Sequence, residues 1–192
     1  RRRQPAPGSA ADRLGKSTGR EAVYWLPRDR WMNESQSPDE ERLRAVFRAL
    51  GAQRVEYAVF GAVALGLHGL ARATADLDLF IKADPDNVER LKRALRSVFP
   101  DPSIDEISAE DLCGDYPAVR YLPPDGFGFD VLTRLGTAFR YEDLEIEERN
   151  YDGVPVRVVT PRTLWRMKKG TVRPSDRFDA QVLAERFGFR EE

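Results

Sequence analysis

Phe60-Gly61-Ala62-Val63-Ala64-Leu65-Gly66-Leu67-His68-Gly69-Leu70-Ala71-Arg72-Ala73-Thr74-Ala75-Asp76-Leu77-Asp78-Leu79-Phe80-Ile81 is a short helix-forming run set between glycines and followed by an alternating apolar strand. In a strand, residues i and i+2 share a face, so Asp76 and Asp78 present both carboxylates together while Leu77 and Leu79 enter the core. An Asp-x-Asp also arises by chance roughly once or twice in a chain with 32 acidic residues among 192. Asp84-Pro85-Asp86 is such a case: Asp84 serves as N-cap and Pro85 as first residue of an amphipathic helix over 87–99. Asp76 and Asp78 have no such role. They interrupt a hydrophobic strand, where unpaired charge is costly and asks for a compensating ligand.

Outward from this segment, a third carboxylate arrives in Phe127-Gly128-Phe129-Asp130-Val131-Leu132, whose phenylalanines and valine face the core and leave Asp130 on the other side. Hard oxygen donors with room for water and phosphate suit Mg²⁺. Three carboxylates on neighbouring strands are enough for two such ions, with Asp76, Asp78 and Asp130 as ligands.

The remaining chain supplies a frame. Ser37-Pro38-Asp39-Glu40 reads as a helix start, Leu43, Val46, Phe47 and Leu50 form one apolar face, and Gly51 ends the helix. A strand is expected over 55–60, a short helix over 63–68 and a short helix over 109–113. Pro123-Pro124-Asp125-Gly126 turns strand 118–122 into strand 127–132 as an antiparallel hairpin. Asn150-Tyr151-Asp152-Gly153 is a turn before strand 154–159, and two helices follow over 161–169 and 175–187. The fold class is α/β (α+β): a mixed sheet of four or five strands with packed helices and a C-terminal helix pair. Residues 1–36 read as a flexible or docked N-terminal arm, lying on its own domain or contacting a partner or RNA, and 37–192 as one domain.

The order strand, Gly61, short helix, Gly69, Arg72-x-Thr74-x-Asp76-x-Asp78 and a later strand bearing Asp130 resembles the DNA polymerase β-like nucleotidyltransferases. It is most similar to the AbiEii and MenT-type toxin branch and to the minimal nucleotidyltransferases. The resemblance runs from about Val55 to Leu183. It continues in Val154-Pro155-Val156-Arg157-Val158-Val159-Thr160-Pro161, Leu164, Met167-Lys168, Arg173-Pro174-Ser175-Asp176 and Asp179.

That resemblance implies transfer of a nucleoside monophosphate from an NTP to a hydroxyl, with two Mg²⁺ held by Asp76, Asp78 and Asp130. Lys168 would contact the nucleotide's phosphates. Gly61 and the backbone of Ala62 would approach the triphosphate, joined by Arg72 and Thr74. The family pattern has Gly-Gly or Gly-Ser where this chain has Gly61-Ala62; alanine keeps the N–H but loses a hydroxyl and the freedom of positive φ. The toxin branch implies the 3′ end of a tRNA as acceptor and a cognate antitoxin as partner. An antitoxin that adenylylates a partner toxin, an antibiotic nucleotidyltransferase and an inactive binding relative are the other readings.

Individual residues carry second meanings. Arg72 pairs with triphosphate or with Asp76. Thr74 lies on the strand face of Asp76, with its hydroxyl toward phosphate or a metal-bound water. His68, the only histidine, is preferred as a packed helix-end residue over a catalytic base. Asp176 and Asp179 either belong with Lys168 or hold Arg173 or Arg177.

Composition is compatible with an intracellular enzyme. The chain has 41% hydrophobic and 33% charged residues, enough for one core. Cys113, the single cysteine, forms no internal disulfide and has no base motif near it. No run approaches the ~20 apolar residues of a membrane span, and Arg1-Arg2-Arg3 precedes no signal-like apolar region, so no membrane partner and a cytoplasmic location are expected. A net charge of −1 argues against binding long nucleic acid through the bulk field while leaving room for a local patch.

Overall fold

Helix α1 (Pro38–Ala52) sinks Val46, Phe47 and Leu50 into the core, as its apolar spacing requires, and runs one residue past Gly51. The computed structural model describes residues 38–70 and 72–190; the N-terminal arm over 1–36 and the Ser37 cap lie outside them. Strand β1 (Tyr57–Phe60) leads directly into α2 (Gly61–Leu67), and the chain returns as β2 (Asp76–Ile81). Asp84 caps α3 (Pro85–Arg96) by accepting the Asn87 N–H at 2.9 Å. A 3₁₀ turn (Pro102–Glu106) and α4 (Ala109–Cys113) then lead to the hairpin β3 (Ala118–Tyr121) and β4 (Gly128–Leu132).

A second, two-stranded ribbon, β5 (Arg134–Leu135) with β6 (Phe139–Arg140), and a 3₁₀ turn (Tyr141–Asp143) precede the hairpin β7 (Ile146–Tyr151) and β8 (Val154–Val159). Helices α5 (Pro161–Lys169) and α6 (Pro174–Phe187) finish the chain and pack on each other. Among the described residues no helix is long and apolar enough to cross a membrane.

The main sheet has six strands in the order β3-β4-β2-β1-β8-β7, one more than the upper expectation. The addition is β7, whose Glu147, Glu148, Arg149 and Asn150 conceal its strand character behind a polar run. It is set by the turn at Asp152 (φ 46°) and Gly153 (φ 81°), two positive φ angles in succession, the geometry that matches hairpin twist. β2 runs antiparallel to β1 and parallel to β4, and β1 runs parallel to β8.

Leu77, Leu79, Ile81, Phe129 and Val131 are fully buried, as the alternation in β2 and β4 requires. Asn87, also fully buried, braces the sheet: its Oδ1 accepts the Glu56 N–H at 2.8 Å, and its Nδ2 donates to the carbonyls of Glu56 (3.0 Å) and Lys82 (3.1 Å). It therefore ties the entry of β1 to the exit of β2.

Candidate active site

The parallel pairing of β2 with β4 places Asp78 directly beside Asp130 and Asp76 beside Gly128. Two acids on adjacent strands in one register point to one face, and Asp76 joins them two residues earlier on the same strand. The three sequence-expected carboxylates are thus brought together by backbone hydrogen bonding. Gly61 enters α2 with φ 66°, and its missing side chain leaves the space taken by Asp78.

Burial pushes the Asp78 carboxyl up to about 6, and the neighbouring charges of Asp130 and Asp76 push the same way. The Lys168 ammonium and the Ala62 N–H, which donates to this carboxylate, oppose the rise. Ala62 therefore spends its N–H on Asp78 in this structure, whereas the sequence reading directed it to a phosphate.

Lys168 is buried near the end of α5. Its ammonium lies 2.7 Å from Asp176 Oδ1 and 2.8 Å from Asp179 Oδ2, both on α6. Arg72 reaches the same Asp179 Oδ2 at 2.7 Å. Two expectations are corrected here. Arg72 pairs with Asp179 and not with Asp76, because it lies in the connection four residues before Asp76, outside β2, and its side chain reaches α6. For Asp176 and Asp179 the reading with Lys168 holds, with Arg72 added at Asp179, and the alternative through Arg177 is corrected, since Arg177 donates to the Thr171 carbonyl instead. Thr74 is a third correction: β2 begins at Asp76, and the exposed Thr74 hydroxyl lies 3.2 Å from the Asp76 carbonyl and 3.3 Å from its N–H, a local turn contact.

His68 is a packed residue, as its place beside Gly69 favoured. Its Nε2 bonds the Val159 carbonyl at 2.8 Å, its side chain has no exposure, and burial lowers its pKa. Cys113 is exposed with a raised thiol pKa, due first to partial burial and then to Asp84, which fits no nucleophile.

Sequence reasoning missed Arg120. From β3, opposite Asp130, it places Nη2 2.8 Å from Asp76 Oδ1 and Nε 3.7 Å from Asp130 Oδ1. Nothing in Ala118-Val119-Arg120-Tyr121 marks it. The signal was indirect, since the hairpin register alone puts residue 120 across from 130. Among the described residues no group of three or more His, Cys, Asp or Glu is arranged to hold a metal ion, and Asp76 and Asp130 instead share this guanidinium. The donor set nevertheless suits a hard cation. Three carboxylates crowd one face, burial and then the charges of Asp130 and Asp76 raise the Asp78 pKa, and positive charge is already accommodated between Asp76 and Asp130.

No protein-family model and no curated protein sequence matches the chain. Similarity appears in the fold. An antigenic nucleotidyltransferase-like protein from Paracoccidioides brasiliensis is 19% identical, with 78% of this chain and 77% of that one covered, at a TM-score of 0.49. The solution structure of the antibiotic-resistance factor ANT(2″)-Ia is 13% identical over 80% of this chain and 86% of that one, at a TM-score of 0.50. The chain therefore shares its fold with that resistance factor. Within this fold, the face bearing Asp76, Asp78 and Asp130 lies beside the α5 lysine that acts electrostatically on Asp78.

Proposed function

We propose that the protein is a nucleotidyltransferase that moves a nucleoside monophosphate from an NTP to an acceptor hydroxyl and releases pyrophosphate. Within that class we read it as the toxin of a toxin–antitoxin pair, with the 3′ end of a tRNA as acceptor. The observation that carries the transfer reading is the side-by-side register of Asp78 and Asp130, with Asp76 on the same face. The tRNA and antitoxin components rest on the sequence resemblance.

Asp76, Asp78 and Asp130 would hold Mg²⁺, which when bound lowers the pKa of the attacking hydroxyl and neutralises the leaving pyrophosphate. The chain's own groups do the positioning. Asp130, at the edge of the trio toward β3, orients the acceptor hydroxyl. The Lys168 ammonium, set beside the trio by Asp176 and Asp179, meets the negative charge of the phosphates. Arg72 adds a second cation tethered to the same Asp179. The absent side chain of Gly61 lets the backbone at the start of α2 stand close to Asp78.

The test is labelling with each of the four α-³²P-NTPs in Mg²⁺, comparing wild type with Asp78→Ala on total RNA and on cell extract. Label on tRNA-sized RNA that vanishes in the variant is the expected result. Label on protein replaces the toxin by the adenylylating antitoxin. Label on neither, with an aminoglycoside or lincosamide accepting the nucleotide, replaces it by an antibiotic-modifying enzyme, and no transfer to any acceptor overturns the reading.

A further inference from the structure

Helix α5 presents different chemistry on two of its sides. One side carries Lys168 to the carboxylates of α6. The other carries Arg162, Arg166 and Lys169, all exposed, which with Arg190 line a concavity of about 470 Å³. The three α5 cations on this side lie over aromatic rings: Arg162 over Phe189 at 5.2 Å, Arg166 over Phe139 at 5.4 Å and Lys169 over Trp165 at 4.3 Å. Trp165 and Phe139 are 6% and 7% exposed, so these rings are the floor and the charges are the surface. A ring face attracts a cation without neutralising its charge, and it leaves the outward N–H donors free for another partner.

A second concavity of about 440 Å³ draws on the same β5–β6 turn, Thr137 lining it and the next residue, Ala138, lining the first; it adds Arg134 and Arg140. Among the described residues none of these six cations has a salt bridge, whereas Arg72, Arg120 and Lys168 around the carboxylate trio are all paired. The carboxylate in these linings is Glu145, whose Oε2 accepts from the Thr160 hydroxyl at 3.3 Å. The two linings together thus hold six cations against one carboxylate, in a chain of net charge −1.

We propose that this face of α5 and the β5–β6 ribbon binds the acceptor as a nucleic-acid strand, with the strand's terminal hydroxyl led around α5 to the carboxylate trio. Guanidinium forks match phosphate oxygens in pairs, and a strand that neutralises several cations gains by releasing its counterions. A polyamine acceptor such as an aminoglycoside would be repelled by the same surface. The distance is short, since a helix with its side chains is about 10–12 Å across, and Lys168 and Lys169 are sequence neighbours. The proposal rests on the transfer reading for its direction but not for its test.

The test is fluorescence anisotropy in the absence of NTP, using labelled single-stranded RNA and DNA of one sequence, at several salt concentrations. The proteins are wild type, Asp78→Asn and the triple variant Arg162→Gln/Arg166→Gln/Lys169→Gln. At about 100 mM salt the triple variant is expected to bind at least tenfold more weakly. Its plot of log affinity against log salt should be shallower by about 2, the slope that three lost phosphate contacts carry on a single strand. Asp78→Asn should bind like wild type, which separates strand binding from transfer.

Preference for one of the two strands identifies the acceptor as RNA or DNA and supports the proposal in either case. A control variant, Arg44→Gln/Arg149→Gln, removes two cations that are paired with Asp152 and Glu147, and it should bind within twofold of wild type. If the triple variant melts early, the exposed pair Arg140→Gln/Arg190→Gln replaces it, with severalfold weakening expected. The proposal is overturned if wild type binds neither strand, if the α5 variants bind within twofold of wild type, or if the control loses as much as they do.

Discussion

Gly61 and Asp78 share one space: a Cβ on residue 61 would fall 1.8 Å from Asp78 Oδ2 and 2.5 Å from its Cγ. The backbone there also needs φ 66°, which costs an L side chain about 1–2 kcal/mol before any clash. Gly61→Ala is therefore expected to displace Asp78 and lower nucleotide transfer by at least about 100-fold, because misplacing a reacting group by about 1 Å has that effect. Gly66→Ala is the control. It sits in the same helix with open space around it, and it should leave transfer unchanged and gain about 0.5–1 kcal/mol in chemical denaturation. Equal activity of Gly61→Ala and wild type would refute the close approach.

Asp78 should make the fold less stable at neutral pH than at acid pH. Its folded pKa, about 6, stands above the ordinary 3.8, so the folded state holds the proton more tightly than the unfolded one. The stabilisation is present below 3.8 and is lost as pH rises through 6. Asp78→Asn, which cannot ionise, is expected to be more stable than wild type at pH 8 by roughly 1–2 kcal/mol, and to lose that advantage by pH 4. Urea melts at both pH values check this, and an advantage that persists unchanged at pH 4 would point to another cause.

Arg120 already supplies positive charge to Asp76 and Asp130, so it competes with any cation those acids bind. Arg120→Gln is expected to tighten Mn²⁺ or Mg²⁺ binding severalfold. That is an energy of about 1 kcal/mol, as befits a guanidinium that is half exposed. Titration calorimetry on the two proteins reads it directly, and unchanged or weaker affinity in the variant would dismiss the competition.

Asn87 satisfies three main-chain groups between Glu56 and Lys82 with no exposure. Asn87→Leu leaves the Glu56 N–H without that partner, while the Glu56 and Lys82 carbonyls keep the Lys82 and Asp84 N–H groups, and it should cost about 1–3 kcal/mol in urea unfolding. Activity per folded molecule should hold, since β1 and β2 keep their own ladder. A loss under 0.5 kcal/mol, on the order of a surface change, would mean the brace carries little.

The legible parts of the sequence were those where local rules decide. The Asp84 cap, the hairpin around Asp125-Gly126, strand β8 and helix α5 follow from caps, turn residues and alternation, and they appear at or near the expected positions. β7 was hidden because an edge strand can be polar on most of its residues. In the site, the three acids were visible because charge inside an apolar strand is conspicuous. Arg120 was not, because its importance comes only from strand register. Lys168 stood out by its place in a motif, yet its burial and its two carboxylate partners depend on how α6 crosses α5, which no local pattern encodes.

The alignment of Asp78 with Asp130 is made by ladder hydrogen bonds between adjacent parallel strands, so the long stretch of chain between them has no part in setting their distance. Helix α3 is held by its own core residues and by Asn87, but the exposed turn between β3 and β4 is free to lengthen or shorten, provided that β2 and β4 keep their pairing. The spacing of the acids is thus inherited with the sheet, as a property of two paired strands and not of the chain that joins them.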